Sequence, residues 1–164
     1  MNIEKNISIV EKQEELLRFP RFGRKDAWEL GKLMVSRILE ENLVLSVSVR
    51  LQSGLVLFQY MPEGTTANNE SWMARKFNVV RDLEISSLLH SLRLDLKKQS
   101  LEDRGLDPRL YAKSGGGFPI HVTGAGVVGA VIVSGLPHLA DHEFLVESLS
   151  RFLEVPYVPR VPQG

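Results

Sequence analysis

The chain has no cysteine. That absence excludes disulfides, thiolate nucleophiles, cysteine-based zinc sites, iron–sulfur clusters and thiolate-ligated haem. An excess of one charge sign is missing too, since 20 Lys and Arg meet 20 Asp and Glu. Without a broad positive field, neither nucleic acid nor an anionic membrane is expected as a partner. No run approaches the ~20 apolar residues that cross a bilayer. The opening MNIEKNISIVEKQEELL is charged where a secretion signal needs an apolar stretch, so a cytoplasmic protein is expected. No internal repeat is visible. The 164 residues are long enough for one domain over 1–164, ending in a Pro-rich, non-helical tail over 155–164.

What is present is strong periodicity. Ser8 and Glu11 form a capping box ahead of a first helix, and Asp26 with Glu29 form another ahead of a second. In the second, Ala27, Leu30, Met34, Val35 and Ile38 recur on one face, and Asn42 is a plausible stop. Residues 43–51 alternate apolar and polar, QSG turns, and LVLFQYM returns, which predicts a hairpin over 43–61. A long helical stretch spans Asn68 to Lys98, with an interruption near Asn78–Asp82. Ile120 and Val122 precede a turn at Thr123–Gly126. Val127–Val133 is then apolar on both faces, the mark of a central strand covered from both sides. A last helix is expected from Ala140 to Glu154, with His142, Leu145, Leu149, Phe152 and Leu153 on one side. These elements predict an α+β fold with a single antiparallel sheet flanked by helices on both faces.

Gly124, Gly126 and Gly129 in GAGVVG have the spacing of a dinucleotide fingerprint. That fingerprint needs a helix after it to hold the pyrophosphate, and AVIVS is strand, so the glycines read as turn and close packing. SGGGFPI, Ser114 to Ile120, has three consecutive glycines and reads either as an anion-binding nest or as a flexible loop passing close to another element. In NNESWMARK, helical spacing aligns Asn69, Trp72 and Lys76 and puts Arg75 beside Trp72. An indole next to two cations suits a planar or anionic ligand. A solvated helix with Trp72 buried under the Lys76 stem explains the same pattern. His138 and His142 are four apart in HLADHE, but Pro137 puts His138 at the helix start, which argues against a shared metal face. His142 reads as a hydrogen-bonded core histidine, and His90 and His121 stand alone. Ser134 lacks the nucleophile-elbow pattern.

The strings FGRKDAWELG, MPEGTTANNESWMARKFNVV and LDPRLYAKSGGGFPIHVTGAGVVGAVIVSGLPHLADHEFLVESLSRFL together resemble the cytosolic branch of the GlcG/HbpS-like superfamily, whose domain name records haem degradation. The resemblance runs from about Asp26 to Leu153. It implies a profilin-like fold with a five-stranded antiparallel sheet, assembly into homo-oligomers, and haem as the cofactor to consider, with His142 or His121 as its axial ligand. The matching positions include Trp72, Arg75, Lys76, Gly115–Pro119, Ser134–Pro137, Asp141 and His142. From these the expected ligand-binding set is Trp72, Arg75, Lys76, Gly116, Gly117, Phe118, Ser134, Asp141 and His142, around a small anionic or planar ligand. Trp72 would stack it, Arg75 and Lys76 would hold its negative groups, and the Gly116 and Gly117 amides would complete the cradle. A haem-binding or haem-degrading protein and a structural or interaction scaffold without a ligand pocket are the competing expectations, and the sequence leaves open whether the chain is an enzyme.

Overall fold

Alternating valines and serines make strand β1 (Ser46–Leu51), which puts Val47 and Val49 on one face and Ser46, Ser48 and Arg50 on the other. The structure, a computed structural model, describes residues 2–164. After a turn β2 (Val56–Tyr60) pairs back on β1, with the register shifting between Val49 and Arg50. A second hairpin joins β3 (Gly117–Val122) to β4 (Gly126–Ser134). The strand order is β2-β1-β4-β3, antiparallel at every pairing, so the two hairpins meet along β1 and β4. From Gly129 onward β4 is buried, as its apolar composition requires.

Helices cover both faces. Two of them, α2 (Arg24–Glu40) and α5 (His138–Leu153), close one face over Val47, Val49, Phe118, Ile120, Val131 and Val133. On the other, α3 (Ala67–Leu83) presses Met73, Phe77 and Val80 onto Ala130 and Ile132. Beside these, α1 (Ile3–Leu16) packs against α4 (Ser87–Lys97) through Val10, Leu88, Leu89 and Leu92. Each such buried side chain contributes ~1.5–3 kcal/mol of transfer free energy.

Several boundaries differ from the sequence reading. Asn2, not Ser8, caps α1 by accepting the Lys5 N–H at 3.0 Å, and Ser8 lies inside the helix. Gly23 is the N-cap of α2, and Asp26 reaches back to its N–H at 2.8 Å. The break between α3 and α4 falls at Glu84–Ser86, where Glu84 turns left-handed and Ser86 caps the next helix.

The implied fifth strand is absent among the described residues. Outside the four strands, β3 makes one parallel bridge, Phe19 to Val122. There the Phe19 N–H donates to the His121 carbonyl and the Thr123 N–H to the Phe19 carbonyl, and the pairing stops there because the cap of α1 at Leu17 lies on one side and β3 ends in its hairpin turn after Val122 on the other.

GAGVVG is a hairpin turn running into β4. Gly124 and Gly126 take positive φ in the turn. A Cβ at Gly129 would lie 2.3 Å from the Arg50 carbonyl oxygen, so the third glycine serves strand packing. The Pro-rich tail is not helical, yet it is packed. Val158 and Val161 are buried, the Gln13 side chain donates to the Pro159 carbonyl at 2.8 Å, and Arg160 pairs with Glu143 and Glu147.

Candidate functional site

Three segments distant in the chain converge at the end of β4. The first is the start of α3, where the Thr66 hydroxyl accepts from the Asn68 N–H and the Asn69 side chain accepts the Thr66 N–H. That box sets the phase of the helix, so Trp72 and Lys76 follow Asn69 on one face. The second is the Ser134–Leu136 turn leading to α5, and the third is Ser114 ahead of β3. Between them lies a cleft of about 310 Å³.

The cleft contains a buried ion pair. Lys76 and Asp141 are 2% and 1% exposed, and Lys76 Nζ donates to Asp141 Oδ2 at 2.9 Å and to the Val133 carbonyl at 2.9 Å. The second carboxylate oxygen, Asp141 Oδ1, accepts the Leu136 N–H at 2.9 Å, so one side chain both neutralises the lysine and shapes the turn. Burial pulls the Lys76 ammonium below its ordinary value and pushes the Asp141 carboxyl up, and each is drawn back by the charge of the other. The sequence reading has Lys76 hold a ligand's negative groups, and in the structure its ammonium is already paired with Asp141. A long side chain leaving α3 beneath β4 reaches a carboxylate on α5, and only the tertiary fold puts the two together.

Of the expected residues, Trp72, Lys76, Ser134 and Asp141 line the cleft. Arg75 lies flat against the indole, its guanidinium carbon 3.8 Å from the Trp72 ring centroid, and also donates to the Ser71 carbonyl. Gly116 backs directly onto the ion pair. Its φ is 123° and a Cβ there would sit 2.7 Å from Lys76 Nζ. The other three turn away. The Gly117 N–H donates to Ser87 Oγ at 2.9 Å, which removes it from any anion cradle. Phe118 is 0% exposed and packs against the His142 ring. His142 itself is sealed in the core, where its Nε2 meets Gln13 Oε1 at 2.7 Å. Because the Gln13 amide donates to Pro159, its oxygen accepts, and the His142 proton is on Nε2. Burial holds this imidazole down at about 3, so it is neutral.

The expected ligand-binding set does not name Asn68, Asn69, Ser114, Gly135 and Leu136, which also line the cleft, although the last three lie in segments the resemblance singles out. Asn68 was legible as the second residue of a capped helix. Gly135 and Leu136 carry no side-chain chemistry that sequence could have flagged.

Haem, as the resemblance implies it, does not fit these residues. No histidine lines the cleft among the described residues. His142 is sealed in the core at 1% exposure against Phe118, with Nε2 held by Gln13, so its ring does not reach the cleft. The other axial candidate, His121, lies apart from the cleft, beside Glu14, Glu84 and Pro119.

The family profile of haem-degrading HbpS-like proteins matches residues 22–150. A UPF0303 protein of Rhizobium rhizogenes is 43% identical over 150 residues, spanning 92% of each chain. One from Yersinia enterocolitica is 39% identical, covering 95% of this chain and 93% of its own. Among solved structures, Ybr137w superposes with a TM-score of 0.84 at 22% identity, covering 92% of this chain and 90% of that one. A PduOC–heme complex superposes at 0.66 and 14% identity, covering 80% of this chain and 94% of that one. At such identities the structural likeness establishes shared fold.

Proposed function

The chain belongs to the family of HbpS-like haem-degrading proteins, and from that premise we propose that it is a cytoplasmic, homo-oligomeric binding module for a small anionic or planar ligand. We read the scaffold as a single profilin-like domain that presents the Trp72–Lys76–Asp141 cleft. The observation that carries the proposal is the fully buried Lys76–Asp141 pair in the wall of that cleft. Folding alone does not favour such a pair, because apolar replacements are often as stable or more so. Charged groups perturbed by burial and a specific partner in a cleft mark a candidate site.

The ligand would stack on Trp72 and take charge from the Arg75 guanidinium already held at that ring. Lys76 uses two of its three N–H groups on Val133 and Asp141, which leaves one for a ligand acceptor. Gly116 keeps the space beside the ammonium clear.

Native mass spectrometry of freshly purified, untagged protein tests the reading. The expected result is a homo-oligomer carrying one small-molecule mass per subunit, lost in both Trp72→Ala and Arg75→Ala while the oligomer persists. Retention of the mass in both variants, or a clean apo protein, refutes it. A haem mass would replace it with the haem reading that the family's name suggests.

A further inference from the structure

We propose a second binding site, separate from the Trp72 cleft, for a small carboxylate with an apolar body, in the cavity between α4 and the Gln99–Leu106 segment. This cavity has a volume of about 330 Å³, within the range of small-ligand pockets. Its wall combines apolar and cationic groups. Ile85, Leu94 and Leu106 supply apolar surface, and Arg93, Lys97 and Arg104 supply three cations. Arg93 is paired with Glu11 at 3.0 Å. Lys97 and Arg104 have no ion-pair partner among the described residues, although the chain as a whole carries no net charge.

The buried polar atoms give the second, independent observation. His90 lines the same cavity, is 8% exposed, and its Nδ1 has no hydrogen-bond partner among the described residues. The Gln99 side-chain oxygen, also on this cavity, is buried and equally without a partner. Native interiors rarely leave such atoms unmatched, because each costs ~1–3 kcal/mol. Burial, then the charges of Arg104 and Arg93, hold the His90 imidazole below its ordinary value. A carboxylate seated here meets Arg104 and Lys97, the imidazole N–H donates to it, and a hydroxyl beside the carboxylate donates to Gln99. The apolar body lies on Leu94 and Ile85.

Phenyllactate is a suitable probe, with phenyllactamide as its uncharged counterpart. Calorimetric titration of the full chain should show saturable phenyllactate binding, weakened about tenfold or more in Arg104→Ala, the loss expected for one charge-assisted hydrogen bond. Arg104 and Lys97 are exposed, so their variants keep the fold. Phenyllactate should also shift the His90 ring resonances, assigned by their absence in His90→Gln. Trp72→Ala should bind as the native chain does, which separates this site from the other cleft. No saturation at millimolar probe, equal binding of phenyllactamide, or loss of binding in Trp72→Ala would each overturn the proposal.

Discussion

Lys76→Met should destabilise the protein by ~3–5 kcal/mol, the range for breaking a buried ion pair by removing one partner. The geometry shows where that figure comes from. The substitution strips the donor from Asp141 Oδ2 and from the Val133 carbonyl, both served at 2.9 Å in the native chain. An orphaned buried carbonyl alone costs ~1–3 kcal/mol. The remaining carboxylate, 1% exposed, must either stay charged without its partner or take up a proton. Asp141→Asn is the complementary change. Its amide oxygen still accepts the Leu136 N–H, but a buried ammonium is stranded, so a similar loss is expected. The double variant removes both charges together and should cost about as much as either single change, giving a coupling energy of ~3–5 kcal/mol. Urea denaturation followed by circular dichroism at neutral pH measures all four corners of the cycle. Losses below ~1 kcal/mol for either single variant, or strict additivity in the double, would refute the reasoning. That result would mean that water reaches the pair and that it behaves like a surface contact.

Glu14 accepts the Ser86 N–H at 3.1 Å while burial pushes its carboxyl up from 4.5 to about 7, against smaller opposing effects of Ser86 and Arg93. The folded state therefore binds the extra proton between pH 4.5 and 7, so stability falls as pH rises through that window and levels off above it. Glu14→Gln should abolish this slope, matching the native chain near pH 4 and exceeding it by up to ~3 kcal/mol near pH 8, as urea midpoints at both values would show. Parallel pH dependence in the two proteins would rule the assignment out. Gly129→Ala forces a Cβ to 2.3 Å from a backbone oxygen that cannot rotate away. It should lower stability by ~1–3 kcal/mol or more, whereas Ala at the open-space turn position Gly124 should lower it by less. Thermal melts compare the pair.

The local sequence determined a good deal by itself. Strict alternation over 46–51 and the two-sided apolar run ending at Val133 can bury themselves only as strands, and helical stripes such as Ala27–Leu30–Met34–Ile38 need a partner surface. The rejection of GAGVVG as a dinucleotide loop followed from the strand after it. Helix starts were less legible, because Asn2 and Gly23 compete with Ser8 and Asp26 as equally plausible caps, and only the completed backbone chooses. The fifth strand was borrowed from the resemblance, and here the chain beside β3 makes one bridge at Phe19, between the cap of α1 at Leu17 and the turn that follows Val122. At the site, sequence placed Trp72 beside Arg75, since both belong to one helix. It could not show that Lys76 is neutralised by Asp141, that Gly117 donates to Ser87, or that His142 is closed off by Gln13. Those contacts join residues 65, 30 and 129 positions apart. Periodicity reports which face of an element is buried, and only the packed fold decides which distant polar group shares that interior.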